Sequence, residues 1–238
     1  MPLETSYPGI YRGFVVDTND PLNANRVRLI VPQISGTEIT NWAWPISGTP
    51  MGSKTPYASA YDTTNQPASQ PGTANSTVTN TAKVITLNTF SEGYGISIKD
   101  GSKLTFSYKG LYNIQFSAQF VSTNSSLAKV QIWLAKNGVN LSQTSGVVTL
   151  SGTGAATLPA WNYVLNLKAN DYLQLYWASD APHVYLGANP VSLGGAPDTP
   201  SVILTAVLES GYLPSAADPC WVMFEGGDPN FPLWLGTF

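Results

Sequence analysis

From Leu111 to Val121 apolar and polar residues alternate without a slip. Tyr112, Ile114, Phe116, Ala118 and Phe120 fall on one side, and Asn113, Gln115, Ser117 and Gln119 on the other. Period two sustained over this length describes a strand with one dry face and one amide-rich face, and it sets the reading of the whole chain as β. Leu104, Phe106 and Tyr108 alternate likewise with Thr105 and Ser107, and Lys109-Gly110 is expected to turn that strand into the next. Further strands are predicted at 164–167, 172–177 and 201–208. Asp100-Gly101 and Asn137-Gly138 tolerate the positive φ of tight hairpins. Leu127, Val130, Gln131 and Leu134 have helical spacing with Gly138 as a possible stop, but the β-formers of Val130–Leu134 favour a strand and hairpin.

Charged residues make up only 11 % of the 238 residues, so solubility rests on Ser, Thr, Asn and Gly. Such a surface suits hydroxyl- and amide-faced sheets, and surface that becomes buried between subunits. Eleven basic against fourteen acidic residues give a net charge of −3, and no basic cluster exceeds Arg26-Val-Arg28. A phosphate-backbone footprint is missing, which argues against nucleic acid as a partner. No apolar run approaches the ~20 residues of a membrane helix, and the opening Met1–Ser6 predicts no signal peptide. The stretch 47–81, with Pro50, Pro56, Pro67 and Pro71, reads as an extended arm or flexible connector.

Residues able to carry chemistry are few. Cys220 is the single cysteine, so no internal disulfide can form, and its apolar flanks predict a packed thiol. His183 is the single histidine and lies in a turn, Asp180-Ala-Pro-His183, with no nucleophile elbow elsewhere. One Cys and one His do not make a zinc site. Asp17-Thr-Asn-Asp20 has oxygen ligands at spacings a calcium loop could use, but an Asx turn before Pro21 is the simpler reading. The acids are scattered, and no pair suggests glycoside cleavage. The expectation is a protein that is not an enzyme and takes no cofactor or metal. Of the seven tryptophans, Trp42, Trp44, Trp221 and Trp234 belong to the chain's end segments and are expected in core or interface. Trp161, in Leu158-Pro-Ala-Trp-Asn162 before a strand, is the candidate receptor contact.

The two ends of the chain share a character that the middle lacks. Tyr11-Arg-Gly-Phe-Val15, Asp20-Pro21, Arg26-Val-Arg-Leu-Ile-Val-Pro32 and Trp42-Ala-Trp-Pro45 open it. Trp221-Val-Met-Phe-Glu-Gly-Gly-Asp-Pro229 and Pro232-Leu-Trp-Leu-Gly236 close it. In order and content these segments resemble the OB-fold domain of the central spike or hub protein of contractile phage baseplates, shared with the type VI secretion spike. Asn25 stands where that family has glycine. The resemblance implies a barrel split by an insertion, threefold assembly, and docking to other tail or baseplate proteins in the virion. Some spike proteins carry a helical lysozyme domain, and nothing here resembles it.

The middle resembles the ten-stranded jelly roll of the tumour-necrosis-factor superfamily and the globular heads of complement and collagen proteins. Gly110-Leu-Tyr-Asn-Ile-Gln-Phe-Ser-Ala118, Leu134-Ala-Lys-Asn-Gly138, Leu167-Lys-Ala-Asn-Asp-Tyr-Leu-Gln-Leu-Tyr176 and Ser201–Leu208 carry the likeness, with Asn170-Asp171 in place of the usual Gly-Asp. It implies a homotrimer. The expected organisation is all-β: a barrel from 1–50 and 210–238, a linker or arm at 51–80, and a jelly roll at 81–209. The expected role is a baseplate component made in the host cytoplasm. A module binding a host surface glycan or protein is the alternative, and a polysaccharide-degrading enzyme ranks below both.

Overall fold

The computed structural model describes residues 6–22, 24–46, 55–67, 81–189, 194–210 and 213–238. It divides into two compact units: Met1–Thr55 with Tyr108–Leu111 and Leu208–Phe238, and Pro56–Ser107 with Tyr112–Val207. Regular structure among the described residues is strand almost throughout, and the chain is all-β.

In the first unit, strands numbered by their place in the chain form one sheet in the order β2-β1-β20-β21-β3. They are β1 (Tyr11–Asp17), β2 (Arg28–Ile30), β3 (Trp44–Pro45), β20 (Pro219–Phe224) and β21 (Pro232–Thr237). Bridges Val27↔Ala43 and Ile30↔Ile39 join the segment around β2 to the one leading into β3, so the sheet closes on itself. Counted along the chain, the five strands run 1-2-3-5-4 around the barrel. Among the described residues the one parallel contact lies between β3 and β21. This is the Greek-key order of an OB-fold, interrupted between its third and fourth strands. Val15, Val27, Leu29, Val31, Ala43, Cys220, Val222, Phe224 and Trp234 are its buried core. Asn25 has φ 57°, the left-handed conformation that explains why glycine would serve there. Gly227, in the closing Glu-Gly-Gly-Asp-Pro turn, has φ 78°, and a Cβ on it would collide with Ser6 Oγ. The Tyr7 N–H donates to the Gly227 carbonyl at 2.8 Å and ties the N-terminal segment to that turn.

The second unit is a sandwich of ten principal strands. They are β4 (Tyr57–Asp62), β7 (Thr89–Tyr94), β8 (Ile96–Lys99), β9 (Lys103–Phe106), β10 (Gly110–Ala118), β12 (Ala128–Lys136), β14 (Gly146–Leu150), β16 (Ala160–Leu167), β17 (Tyr172–Ser179) and β19 (Val202–Ser210). They form two five-stranded sheets, β16-β10-β19-β4-β7 and β14-β12-β17-β9-β8, with the chain crossing repeatedly from one to the other as in a jelly roll. Two short strands, β6 (Lys83–Val84) and β13 (Val139–Asn140), extend the second sheet, and β5 (Gln66–Pro67), β11 (Phe120–Ser122), β15 (Ala156–Thr157) and β18 (Val184–Leu186) form a separate four-stranded sheet in the order β15-β11-β18-β5. The dry side of β10 is wholly buried, and Phe106 meets Tyr112 at 4.6 Å and Phe120 meets Trp177 at 5.3 Å between ring centroids.

Local sequence accounts for the turns. Asn137 (φ 52°) and Gly138 (φ 81°) close a two-residue hairpin between β12 and β13. Asn170 has φ 67°, so it meets the conformational demand that the Gly of a Gly-Asp pair would meet. The neighbouring Asp171 carboxylate accepts from the Lys168 N–H at 2.8 Å and from Asn137 Nδ2 at 2.7 Å. Burial alone would raise its pKa. These two donors, with the charges of Lys136 and Lys168, outweigh burial and lower it.

Two expectations change, and one open choice is decided as favoured. Lys109-Gly110 does not make a hairpin, because β9 and β10 lie in different sheets and the connection crosses the sandwich. The strand and hairpin favoured over a helix at 127–138 are present: β12 pairs with β17 over seven residues, and alternation of Val130, Ile132 and Leu134 into the core outweighs the helical spacing. The linker expected at 51–80 contains β4 and β5. Ala58 and Ala60 point into the core, and small side chains there hid the alternation. The remainder of that stretch, 68–80, lies outside the described residues.

Candidate functional site

Trp161, the expected receptor contact, belongs to β16 and turns toward the sandwich interior. Its indole meets Phe116 edge-on at 5.4 Å and 87°, and it occupies the space that a Cβ on Gly146 would need. The Gly146 vacancy was the missed signal, since a glycine opening an apolar strand marks a place where something large is seated. Trp161 is therefore a packing residue rather than a loop-tip contact.

The other singled-out residues fall into structural roles. The His183 carbonyl accepts from the Thr123 N–H and hydroxyl, and its buried Nε2 has no hydrogen-bond partner among the described residues. Cys220 is fully buried in the barrel. Burial, with a smaller contribution from the Asp218 charge, pushes its thiol up to about 12. Asp17 caps Asn19 in an Asx turn at 2.9 Å. Asp20 is occupied differently: one of its oxygens accepts from Arg26 Nε at 3.1 Å and Nη2 at 2.6 Å. Backbone N–H groups of Leu22, Ala24 and Arg26 complete its shell. The Arg26 guanidinium, aided by those donors against burial, holds this carboxyl well below the usual range. No lone pair set remains for calcium, and among the described residues no three His, Cys, Asp or Glu side chains cluster.

Two exposed surfaces remain. On the sheet β16-β10-β19-β4-β7, register places Ile203 beside Tyr61, Thr205 beside Ser59 and Val207 beside Tyr57. Their neighbours Val202, Leu204 and Ala206 are buried, so these six side chains point outward. Outward positions of β10 and β16 add Asn113, Gln115, Ser117, Asn162, Val164 and Asn166. None of these twelve carries charge; on the same side, Glu209 lies at the end of β19 and Glu92 on the edge strand β7 opposite Ser59. Val164 is 55 % exposed, Val207 44 % and Ile203 40 %, an apolar content unusual for a solvent-facing sheet. The opposite sheet differs sharply. It presents Lys99, Lys103 and Lys129 around a stacked Trp133–Tyr176 pair at 6.0 Å, with Lys103 bonded to Asp100 and set over Tyr172.

The barrel carries the second surface. Outward side chains of β1, β20 and β21 are Arg12, Phe14, Val16, Trp221, Met223, Leu233 and Leu235. Arg12 lies over both Trp221 (5.5 Å) and Phe238 (5.4 Å). Beside β3 is a cleft of about 330 Å³ walled by Asn41, Trp42, Trp44, Glu225, Asn230 and Phe231, with Arg26 at its base. The Arg26 guanidinium sits 5.5 Å from Trp42 and 5.0 Å from Trp44, and Arg28 lies 6.0 Å from Trp42. Asn41 Nδ2 donates to the Asn230 carbonyl at 3.1 Å, bracing the wall between the two loops.

No family model and no curated protein matches the chain. Among solved structures it is similar to the globular domain of zebrafish complement 1qA protein. Identity is 12 % and the TM-score 0.37, over 65 % of this chain and 97 % of that one.

Proposed function

We propose that this chain is an assembly protein of a phage tail baseplate or a related contractile apparatus. It is a homotrimer, with the jelly roll providing the threefold contact and the barrel docking on neighbouring tail proteins. It acts by burying surface and turns nothing over. The observation that carries this reading is the charge-poor outward face of β16, β10, β19 and β4, with its Tyr61–Ile203 and Tyr57–Val207 pairs and only Glu209, at the end of β19, carrying charge. Such a face costs free energy in water and releases it when a like face covers it. The charge-poor composition and the outward side of β1, β20 and β21, apolar but for Arg12, support burial of a second surface. The tail setting rests on the likeness of the end segments to baseplate spike barrels, together with the interrupted OB order. Light scattering on the purified protein tests the subunit count, and Val207→Lys should lower it if this face is the contact.

A further inference from the structure

We infer that the barrel cleft beside β3 is a binding site for a neutral glycan, one or two pyranose rings wide, independent of any contact between subunits. Its volume, about 330 Å³, falls at the lower end of the range for small-ligand clefts. Two of its walls are aromatic plates left open: Trp44 is 49 % and Phe231 59 % exposed. A large aromatic on a surface is disfavoured unless something covers it, and the apolar face of a sugar ring matches an indole or phenyl plane.

Charge in the cleft offers little to an anion. Arg26 supplies no net attraction for an anion, because Asp20 neutralises it at 2.6 Å, and Glu225 adds a carboxylate to the wall. A cation seeking the aromatic faces finds them partly taken, since Arg26 lies over Trp42 and Trp44 and Arg28 over Trp42. What remains suits hydroxyl groups. The Glu225 carboxylate has no partner among the described residues and can accept two hydroxyl hydrogens. The Asn41 amide oxygen can accept another. The stacked guanidinium also fixes Trp44 in place, so little ordering is required on binding.

The test uses the full chain, with maltoheptaose, chitohexaose and a galactan oligosaccharide as neutral probes, and heparin hexasaccharide and choline as charged ones. Tryptophan fluorescence and saturation-transfer NMR are the readouts, at up to about 10 mM to include weak single-site affinities. At least one neutral probe should bind, and Trp44→Ala should weaken it at least about tenfold, with Glu225→Gln weakening it about fivefold. Both side chains are exposed, so an unchanged melting temperature separates lost binding from misfolding. Binding of only the charged probes, of none, or undiminished neutral binding by Trp44→Ala overturns the inference. Subunit count is measured separately, so failure here leaves the assembly reading standing, and the reverse also holds.

Discussion

Arg26 and Asp20 form a nearly closed pair, with side chains 12 % and 2 % exposed, and the guanidinium so held becomes the base on which Trp42 and Trp44 are laid. One carboxylate thereby organises the loop after β1 and the wall of the cleft. Asp20→Ala should leave a desolvated guanidinium and unpaired N–H groups, lowering stability by about 2–3 kcal/mol in urea unfolding.

The same pair predicts an acid dependence. Asp20 has a depressed pKa in the folded chain, so its contribution is fully present above the unfolded value of about 4 and declines as pH falls toward the folded one. Asp171 shifts in the same direction. Unfolding free energy should therefore fall steadily below about pH 4, and Asp20→Asn should flatten that slope. An unchanged slope in the variant would remove Asp20 from the account.

Cys220 should resist thiol reagents in the folded protein, because burial keeps it neutral at physiological pH. Its folded pKa is raised, so above about pH 9 ionisation favours the unfolded chain. Labelling should follow global unfolding as urea is added. Rapid labelling in the native state would contradict the closed barrel core.

Gly146 and Trp161 form a matched pair. Gly146→Val should displace the indole and cost about 1–3 kcal/mol, and Trp161→Ala about 2 kcal/mol, both seen as lower melting temperatures. Neither is expected to alter glycan binding in the barrel cleft.

Asn25→Gly should be nearly neutral and Asn25→Ala destabilising by about 1 kcal/mol, since the position requires positive φ. Equal stability of the two variants would show that the turn can readjust.

Much of this fold was legible because strand alternation is local. The β10 pattern and the Asn137-Gly138 turn each follow from residues a few positions apart, whereas the barrel, split between the two ends of the chain, was implied by the resemblance of those end segments. Residues 57–62 were not legible, because Ala58 and Ala60 satisfy the core by smallness and leave little apolar contrast. Trp161 was misplaced because its seat is made by Gly146 on another strand. The charge-poor sheet face had the same obstacle. Tyr57 and Val207 become neighbours only through the pairing of β4 with β19, far apart in sequence. The cleft needs residues from 26, 41–44 and 225–233, whose meeting depends on barrel closure.

The central claim is that the charge-poor sheet face exists to be covered by copies of itself. Multi-angle light scattering on the intact protein tests it most directly. The account predicts a mass three times the 25.4 kDa of one chain, falling toward a single chain in Val207→Lys. A stable monomer of the unaltered protein at high concentration would contradict it.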